Sequence, residues 1–246
     1  MRVKDPLSRG SLDREAFMNQ RDYKEIEGYM LSCMKDSAHD CQHIYRVLYH
    51  ALEISESYEL DKDIIIAAAL LHDIGREAQF KDASIDHASE GARMAYDYLI
   101  ALGWSVDQAS HVRACVLTHR FRSNNPPKTI EAKVIFDADK LDVTGAIGIA
   151  RTIAYKGRVA QPMYSVGGDG QVLSGDGPEV PSFFREYHFK LKKLYDRFYT
   201  EEAHRMAITR EKASQAFYQA IYDEMSETHR RGLSILDHVL ERELSS

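Results

Sequence analysis

The stretch from Ile64 to Gly75, I-I-I-A-A-A-L-L-H-D-I-G, decides the fold. Eight consecutive apolar residues, with Asp61 or Asp63 as N-cap and Gly75 as C-terminal stop, read as a short, fully buried helix. The β-branched Ile64, Ile65 and Ile66 would also suit a buried strand, but the alanine-rich second half and the flanking caps favour helix. His72 and Asp73 follow the apolar run directly. A carboxylate there lies beside core-facing residues and at the negative pole of the helix dipole, and both placements disfavour an anion. A cation must compensate. The choices are an Arg or Lys partner, or a metal ion that takes both side chains as ligands.

Working outward, the chain reads as a series of further helices. Phe17, Ile26, Tyr29, Met30 and Met34 lie among charges from about Ser11 to Lys35, with Ser11 or Asp13 as N-cap, the pattern of a surface helix laid over a core. In the next segment Ile44, Val47, Leu48, Ala51 and Ile54 make an apolar stripe, and His43, Arg46, Val47 and His50 share a neighbouring face. Past the buried helix, a polar connection from Arg76 to Ala83 is expected to lead to a helix from Ser84 to Leu102, stopped by Gly103, with His87 in its first turn. Ser105 and Gln108 form a capping box for a helix that closes at His119-Arg120. After the break at Asn124-Asn125-Pro126-Pro127, Thr129 caps a helix in which Val134, Ile135, Ala138 and Leu141 are apolar and Asp137, Asp139 and Asp142 are not. Aspartate is a poor helix former, so three in six residues ask for a reason.

A further helix is expected from about Thr144 to Tyr155, where G-A-I-G would allow close packing. Residues 157–181 hold six glycines and three prolines without periodicity, a loop long enough to serve as a lid or an oligomer contact, or else to be disordered. Two last helices are expected, one from Ser182 through Phe198 and one from Thr200 to roughly Thr228. Strand-like alternation is scarce and no glycine-rich phosphate loop is present, so the fold class is all-α.

With 246 residues, 44% of them hydrophobic, the chain has room for one sizeable core, and a single domain over 1–246 is expected. A net charge of −6 argues against a protein that coats nucleic acid. Three cysteines without a CxxC pair suggest neither a disulfide framework nor a cysteine-rich zinc site. The longest apolar run is too short for a membrane span and M-R-V-K-D-P lacks a signal core, so a reducing cytoplasm is the expected location and no membrane partner is expected.

The polar residues beside apolar helical faces are His43, His72, Asp73, His87, His119 and Asp139, from five different helices. Singly each has an ordinary explanation: a helical histidine is usually hydrogen-bonded or at the surface, and Asp139 could pair with Lys140 or Arg151. Together they form a metal-site inventory, and imidazole with carboxylate suits Mn, Fe, Mg, Co or Zn. Asp137 and Asp142 read as partners that orient the ligands or balance Lys140. His39-Asp40 reads as capping and as support for them.

At these residues the sequence resembles the HD-domain superfamily of metal-dependent phosphohydrolases. The match rests on A-H-D-C-Q-H-I-Y-R-V with His43, on the doublet His72-Asp73 in H-D-I-G, and on D-A-D-K-L-D with Asp139. The flanking words T-H-R-F and D-V-T-G-A-I-G-I-A-R are similar to those of small stand-alone bacterial HD hydrolases, some of which act as nucleotide pyrophosphohydrolases. The resemblance implies a helical core over about 36–156, with helices from 182 to 230 packed on it. It implies His43, His72, Asp73 and Asp139 as ligands of one divalent ion, with Asp73 also orienting the attacking water. His119 and His87 would face the substrate phosphate or a second ion. Arg46, Lys140 and the cluster Lys190, Lys192 and Lys193 would neutralise phosphate, and Asp73, His119 and Lys140 are the residues assigned to catalysis. The expected partner is a small phosphorylated molecule, a nucleotide above all, and not a nucleic acid. Two other readings stand beside this one: a dinuclear iron oxygenase of the same superfamily, and a non-catalytic helical module that binds metal or nucleotide.

Overall fold

The computed structural model describes residues 18–34, 41–120 and 125–243. Ten α-helices lie among them. α1 (Gln20–Cys33) is capped by Asn19, and α2 (Cys41–Ser55) buries Ile44, Val47, Leu48, Ala51 and Ile54. α3 (Lys62–Leu71) is the apolar stretch, capped by Asp61, whose side chain accepts from the backbone N–H groups of Asp63 and Ile64. α4 (Arg76–Lys81) and α5 (His87–Ala101) follow, then α6 (Val106–Thr118) with its capping box, α7 (Ile130–Leu141) capped by Thr129, and α8 (Gly145–Arg158). α9 (Phe183–Phe189) precedes a short 3-10 turn, Leu191–Lys193, and the long α10 (Glu201–Glu243).

Helix α3 is buried because it is surrounded. It packs against α1, α2, α5, α6 and α7, while α5 pairs with α6, and α2 with α7. Its apolar side chains join those of α1, α2 and α5 to α7 in one core, to which Tyr195 and the α10 residues Ala203, Met206 and Ala207 also belong. A second core joins Ile149 of α8, Val172, the α9 residues Phe183, Phe184 and Tyr187, Leu191, Leu194, and Tyr218 of α10. α10 packs against both α7 and α8 and so belongs to both. Beyond an isolated antiparallel bridge between Val166 and Val172, no strand occurs among the described residues. The fold is all-α.

Several local expectations need correction. Gly75 does not stop α3: the helix ends at Leu71, His72 takes the C-cap, and Gly75, at φ −81°, stands at the head of α4, which occupies the expected polar connection. The helix expected from Ser84 begins instead at His87, with Asp86 as its cap. One helix over 182–198 is not found, because the apolar residues past Lys190 serve two cores: Leu191 and Leu194 face the second, and Tyr195 the first. α10 runs fifteen residues beyond Thr228, carrying Ile235, Leu236, Val239 and Leu240 exposed at its end. The caps expected at Ser11 or Asp13, and the pair His39-Asp40, lie outside the described residues.

The close packing expected of G-A-I-G against a neighbour occurs at Gly145, φ +62°, where a Cβ would stand 2.9 Å from Cβ of Arg210 on α10. The segment between α8 and α9 is tied down by backbone bonds, including Gly167 N to Gln171 O at 2.8 Å and Leu173 N to Ser165 O at 2.9 Å. Asp137 makes no hydrogen bond to a candidate ligand, although the charge of Lys140 acts on its carboxylate. Its carboxylate accepts from the backbone N–H groups of Tyr199 and Thr200 and from the Thr200 hydroxyl, fixing the start of α10 to the core.

Candidate metal centre

His72 and His119 are placed by the same local device. Each occupies the C-cap of a helix, where the last carbonyls lack intrahelical partners, and each turns its Nδ1–H back onto the carbonyl three residues earlier. His72 Nδ1 lies 2.7 Å from the Ala69 oxygen and His119 Nδ1 lies 2.6 Å from that of Val116. A carbonyl only accepts, so in the neutral ring the proton is on Nδ1 and a lone pair is left on Nε2. His87, the first residue of α5, gives its Nδ1–H to Gln79 Oε1 at 2.6 Å, and His43 on α2 gives its own to Asp142 Oδ2 at 2.7 Å. All four imidazoles therefore present Nε2 without a proton.

Those four Nε2 atoms converge on Asp73. His43 and His72 lie 3.7 and 3.6 Å from its Oδ2, while His87 and His119 lie 3.6 and 3.4 Å from its Oδ1. Asp139 Oδ1 is 3.3 Å from His43 Nε2, and the Nε2 atoms of His43 and His72 are 3.4 Å apart. Every one of these contacts sets lone pair against lone pair. Among the described residues, Asp73 Oδ1, His87 Nε2 and His119 Nε2 are buried without any hydrogen-bond partner. Such atoms are costly unless a cation lies among them, and a divalent ion fits this donor set. Two groups of possible ligand atoms share Asp73: His43, His72 and Asp73, and Asp73, His87 and His119.

Electrostatics keep His72 and His87 neutral and Asp73 and Asp139 charged. Burial pushes the His72 imidazole down to about 4, and burial together with the Arg76 guanidinium pushes His87 down to about 3. Burial raises the Asp73 carboxyl, but Arg76, His72 and His119 outweigh it and hold it well below the usual carboxylate range. Asp139 is likewise raised by burial and held well below that range by Lys140 and His43. A cationic side chain does stand beside Asp73, with Arg76 Nε 2.5 Å from Oδ2, but it does not take the place of an ion. The orphaned lone pairs on its other side still call for an ion.

All six residues of the inventory come together. His87, which sequence alone leaves open as a surface residue, is 1% exposed. It is carried inward because Gly75 and Gly91 touch backbone to backbone, and because Arg120 closes the end of α6 onto the α5 cap Asp86 at 2.7 Å. Lys140 Nζ binds Asp139 Oδ2 at 2.7 Å and lies over the Phe136 ring. Arg46, expected to meet phosphate, instead gives Asp142 a two-pronged contact. Lys192 and Lys193 line a separate surface hollow of about 610 Å³ with Asp176, His188, Phe189, Asp196 and Arg197, and no residue of the centre lines it. Sequence reasoning missed Arg76, Gln79 and the role of Arg151, which reaches Asp142 and His43 Nδ1 from α8. Arg76, three residues past Asp73, could have been found from that spacing.

An all-helical fold that gathers four buried histidines around Asp73, with Asp139 beside them, into groups that could hold a divalent ion defines the class. The HD domain family matches residues 41–144, and the chain belongs to that family, whose domains bind divalent metals. YpgQ of Bacillus subtilis (strain 168), an uncharacterized protein, is 30% identical over 190 residues, spanning 75% of this chain and 84% of that protein. The crystal structure of YpgQ in complex with ADP has a TM-score of 0.64 at 24% identity over 83% of this chain and 95% of its own. An HD-superfamily hydrolase from Bacillus thuringiensis has a TM-score of 0.64 at 30% identity, covering 83% of this chain and 97% of that one. The putative phosphohydrolase YueE of Bacillus subtilis is 30% identical over 112 residues, 41% of this chain and 64% of that protein. The chain is thus a relative of HD-superfamily hydrolases. Among the described residues no helix is long and apolar enough to cross a membrane.

Proposed function

We propose that the protein is a metal-dependent phosphohydrolase that cleaves a phosphate ester or phosphoanhydride, with a nucleotide as substrate. The observation that carries the reading is the set of four Nε2 lone pairs around Asp73, each forced by an acceptor on Nδ1. His43, His72, Asp73 and Asp139 would hold the ion. His87 and His119, on the other oxygen of Asp73, would hold a second ion or meet the substrate phosphate. A divalent ion supplies Lewis acidity, acidifying water and screening phosphate charge. Asp73 Oδ1 would orient the attacking water, and His119 Nε2, 3.4 Å from that oxygen, would take its proton where no second ion occupies it. Arg76 and Lys140, on the outer sides of Asp73 and Asp139, would bind phosphoryl oxygens and hold the reacting group still.

The nucleotide is supported by YpgQ, whose structure was determined with ADP. The three free cysteines fit a reducing cytoplasm. The test is elemental analysis of the purified protein, then a screen of nucleotides and simple phosphate esters with Mn²⁺, Mg²⁺ and Co²⁺. Absence of bound metal after equilibration, with no turnover of any phosphate compound, would end the reading. The second histidine group favours one rival, a dinuclear iron oxygenase; O₂-dependent turnover together with an iron chromophore would select it.

A further inference from the structure

We infer that Asp142 is a positioning residue that selects the tautomer of His43, and that Arg46 and Arg151 serve the centre through Asp142 rather than by binding phosphate. The inference rests on the reading of His43 as a ligand. Asp142 closes α7, three residues past Asp139, and is fully buried. Its Oδ1 accepts from Arg46 Nε at 2.6 Å, and its Oδ2 accepts from His43 Nδ1 at 2.7 Å, from Arg46 Nη2 at 3.1 Å and from Arg151 Nη1. Four donors fill the accepting capacity of a carboxylate. Arg46 spends its forked edge on this contact, the edge that would otherwise grip a phosphate.

The tautomer of His43 is contested, which gives Asp142 its role. If the proton moved to Nε2, it would find an acceptor at once, since Asp139 Oδ1 is 3.3 Å away. His43 would then be hydrogen-bonded and closed to an ion. Arg151 Nη1 also stands 2.7 Å from His43 Nδ1, and an N–H donated there would favour that closed form. Asp142 outcompetes it because it accepts from both groups: it draws the proton of His43 to Nδ1 and turns the guanidinium of Arg151 onto its own Oδ2. Metal-bound histidines commonly owe their orientation to such a carboxylate. What is particular here is the arginine that would promote the wrong tautomer once the carboxylate is gone.

The two roles of Arg151 give opposite signs in different backgrounds, and this supplies the test. Full-length wild type, Asp142→Asn, Asp142→Ala, Arg46→Met, Arg151→Ala and the double variant Asp142→Ala/Arg151→Ala would be titrated with Mn²⁺ alone, with thermal melts to establish that each is folded. Asp142→Ala should weaken Mn²⁺ binding by about 10–100-fold, and Asp142→Asn by less. Arg151→Ala should weaken it only a few-fold in wild type but restore part of it in the Asp142→Ala background. The ¹⁵N imidazole signals of the metal-free proteins give a second readout: His43 should carry its proton on Nδ1 in wild type and on Nε2 in Asp142→Ala. Unchanged Mn²⁺ affinity and an unchanged tautomer in the Asp142 variants would overturn the inference. So would an Arg46→Met protein that binds Mn²⁺ normally but loses inhibition by inorganic phosphate, because Arg46 would then be a phosphate ligand. Wild type that binds no Mn²⁺ yet shows the tautomer switch would refute the phosphohydrolase reading and leave the Asp142 device standing.

Discussion

Replacing Gly75 by alanine should damage the protein far more than the same change at Gly91, although the two glycines touch. A Cβ at position 75 would stand 2.6 Å from Gly91 N and closer still to the His87 carbonyl oxygen, both backbone atoms of α5. Ordinary contact begins at 3.4 Å, so α5 must retreat by about 0.8 Å or more. Overpacking of this kind costs about 1–3 kcal/mol, and a backbone obstacle places it at the upper end. For a chain of this length about 2–3 kcal/mol lowers Tm by about 4–12 °C. His87 rides on α5, so its Nε2, now 3.6 Å from Asp73 Oδ1, should withdraw by a similar amount. A Cβ at position 91 meets only Gly75 N at 3.2 Å and Val116 Cγ1 at 3.6 Å, and alanine gains helix propensity worth about 1 kcal/mol, so Gly91→Ala should be nearly neutral. Thermal unfolding of both variants, with Mn²⁺ titration of each, decides the matter. A Gly75→Ala protein melting within about 2 °C of wild type, or a Gly91→Ala protein losing as much, would refute the steric account.

His87→Ala and His119→Ala should resemble each other in metal stoichiometry, because both rings face the same oxygen of Asp73, while His119→Ala should lose more rate; equal rates would remove the proton-taking role from His119. Asp139→Ala should lose metal as well as rate, and retention of full metal content would remove Asp139 from the ligand set. His50, pushed down to about 4 by burial and by Arg210 and Arg46, is neutral in the fold but takes a proton near pH 6.5 when unfolded. Its contribution is therefore present above about pH 6.5 and lost as pH falls towards 4, on the order of 1 kcal/mol per pH unit. Denaturant titrations of wild type and His50→Gln should converge over that window, and parallel curves would show that the fold does not lower the pKa of His50. Asp137→Ala strips the Tyr199 and Thr200 N–H groups of their acceptor and should cost about 2–5 kcal/mol by chemical denaturation.

Helix starts were legible where a side chain supplies the cap. Asp61, Ser105 and Thr129 each accept a backbone N–H as their sequence context suggests. The inventory of the centre was legible for a similar local reason: His72 and His119 end apolar runs, and a polar group there has to face something. What escaped depends on contacts between distant segments. The sequence suggests Asp139 as a partner for Arg151, and nothing near Arg151 announces that the carboxylate it meets is Asp142 at the end of α7. Gly75 looked like a helix stop because glycine so often is one, whereas its use is to admit the backbone of α5. The end of α9 was illegible because the apolar pattern runs on past Lys190 while the residues divide between two cores. The extent of α10 was hidden by Gly232, which costs a helix about 1 kcal/mol but meets no obstacle there.

The bond from His43 to Asp142 spans 99 residues, and this has a consequence in time. At a synthesis rate of about 5–20 residues per second, α2 leaves the ribosome about 5–20 s before the end of α7, and α8 with Arg151 follows later still. Throughout that interval the ring of His43 has no carboxylate to settle its proton, and Asp139, its neighbour across the site, does not yet exist. The candidate site for the ion is thus completed only once α8 has been made, with Tyr195 and the α10 residues of the first core still to follow. A loaded metal is in effect a certificate that the chain has been made and folded through α8.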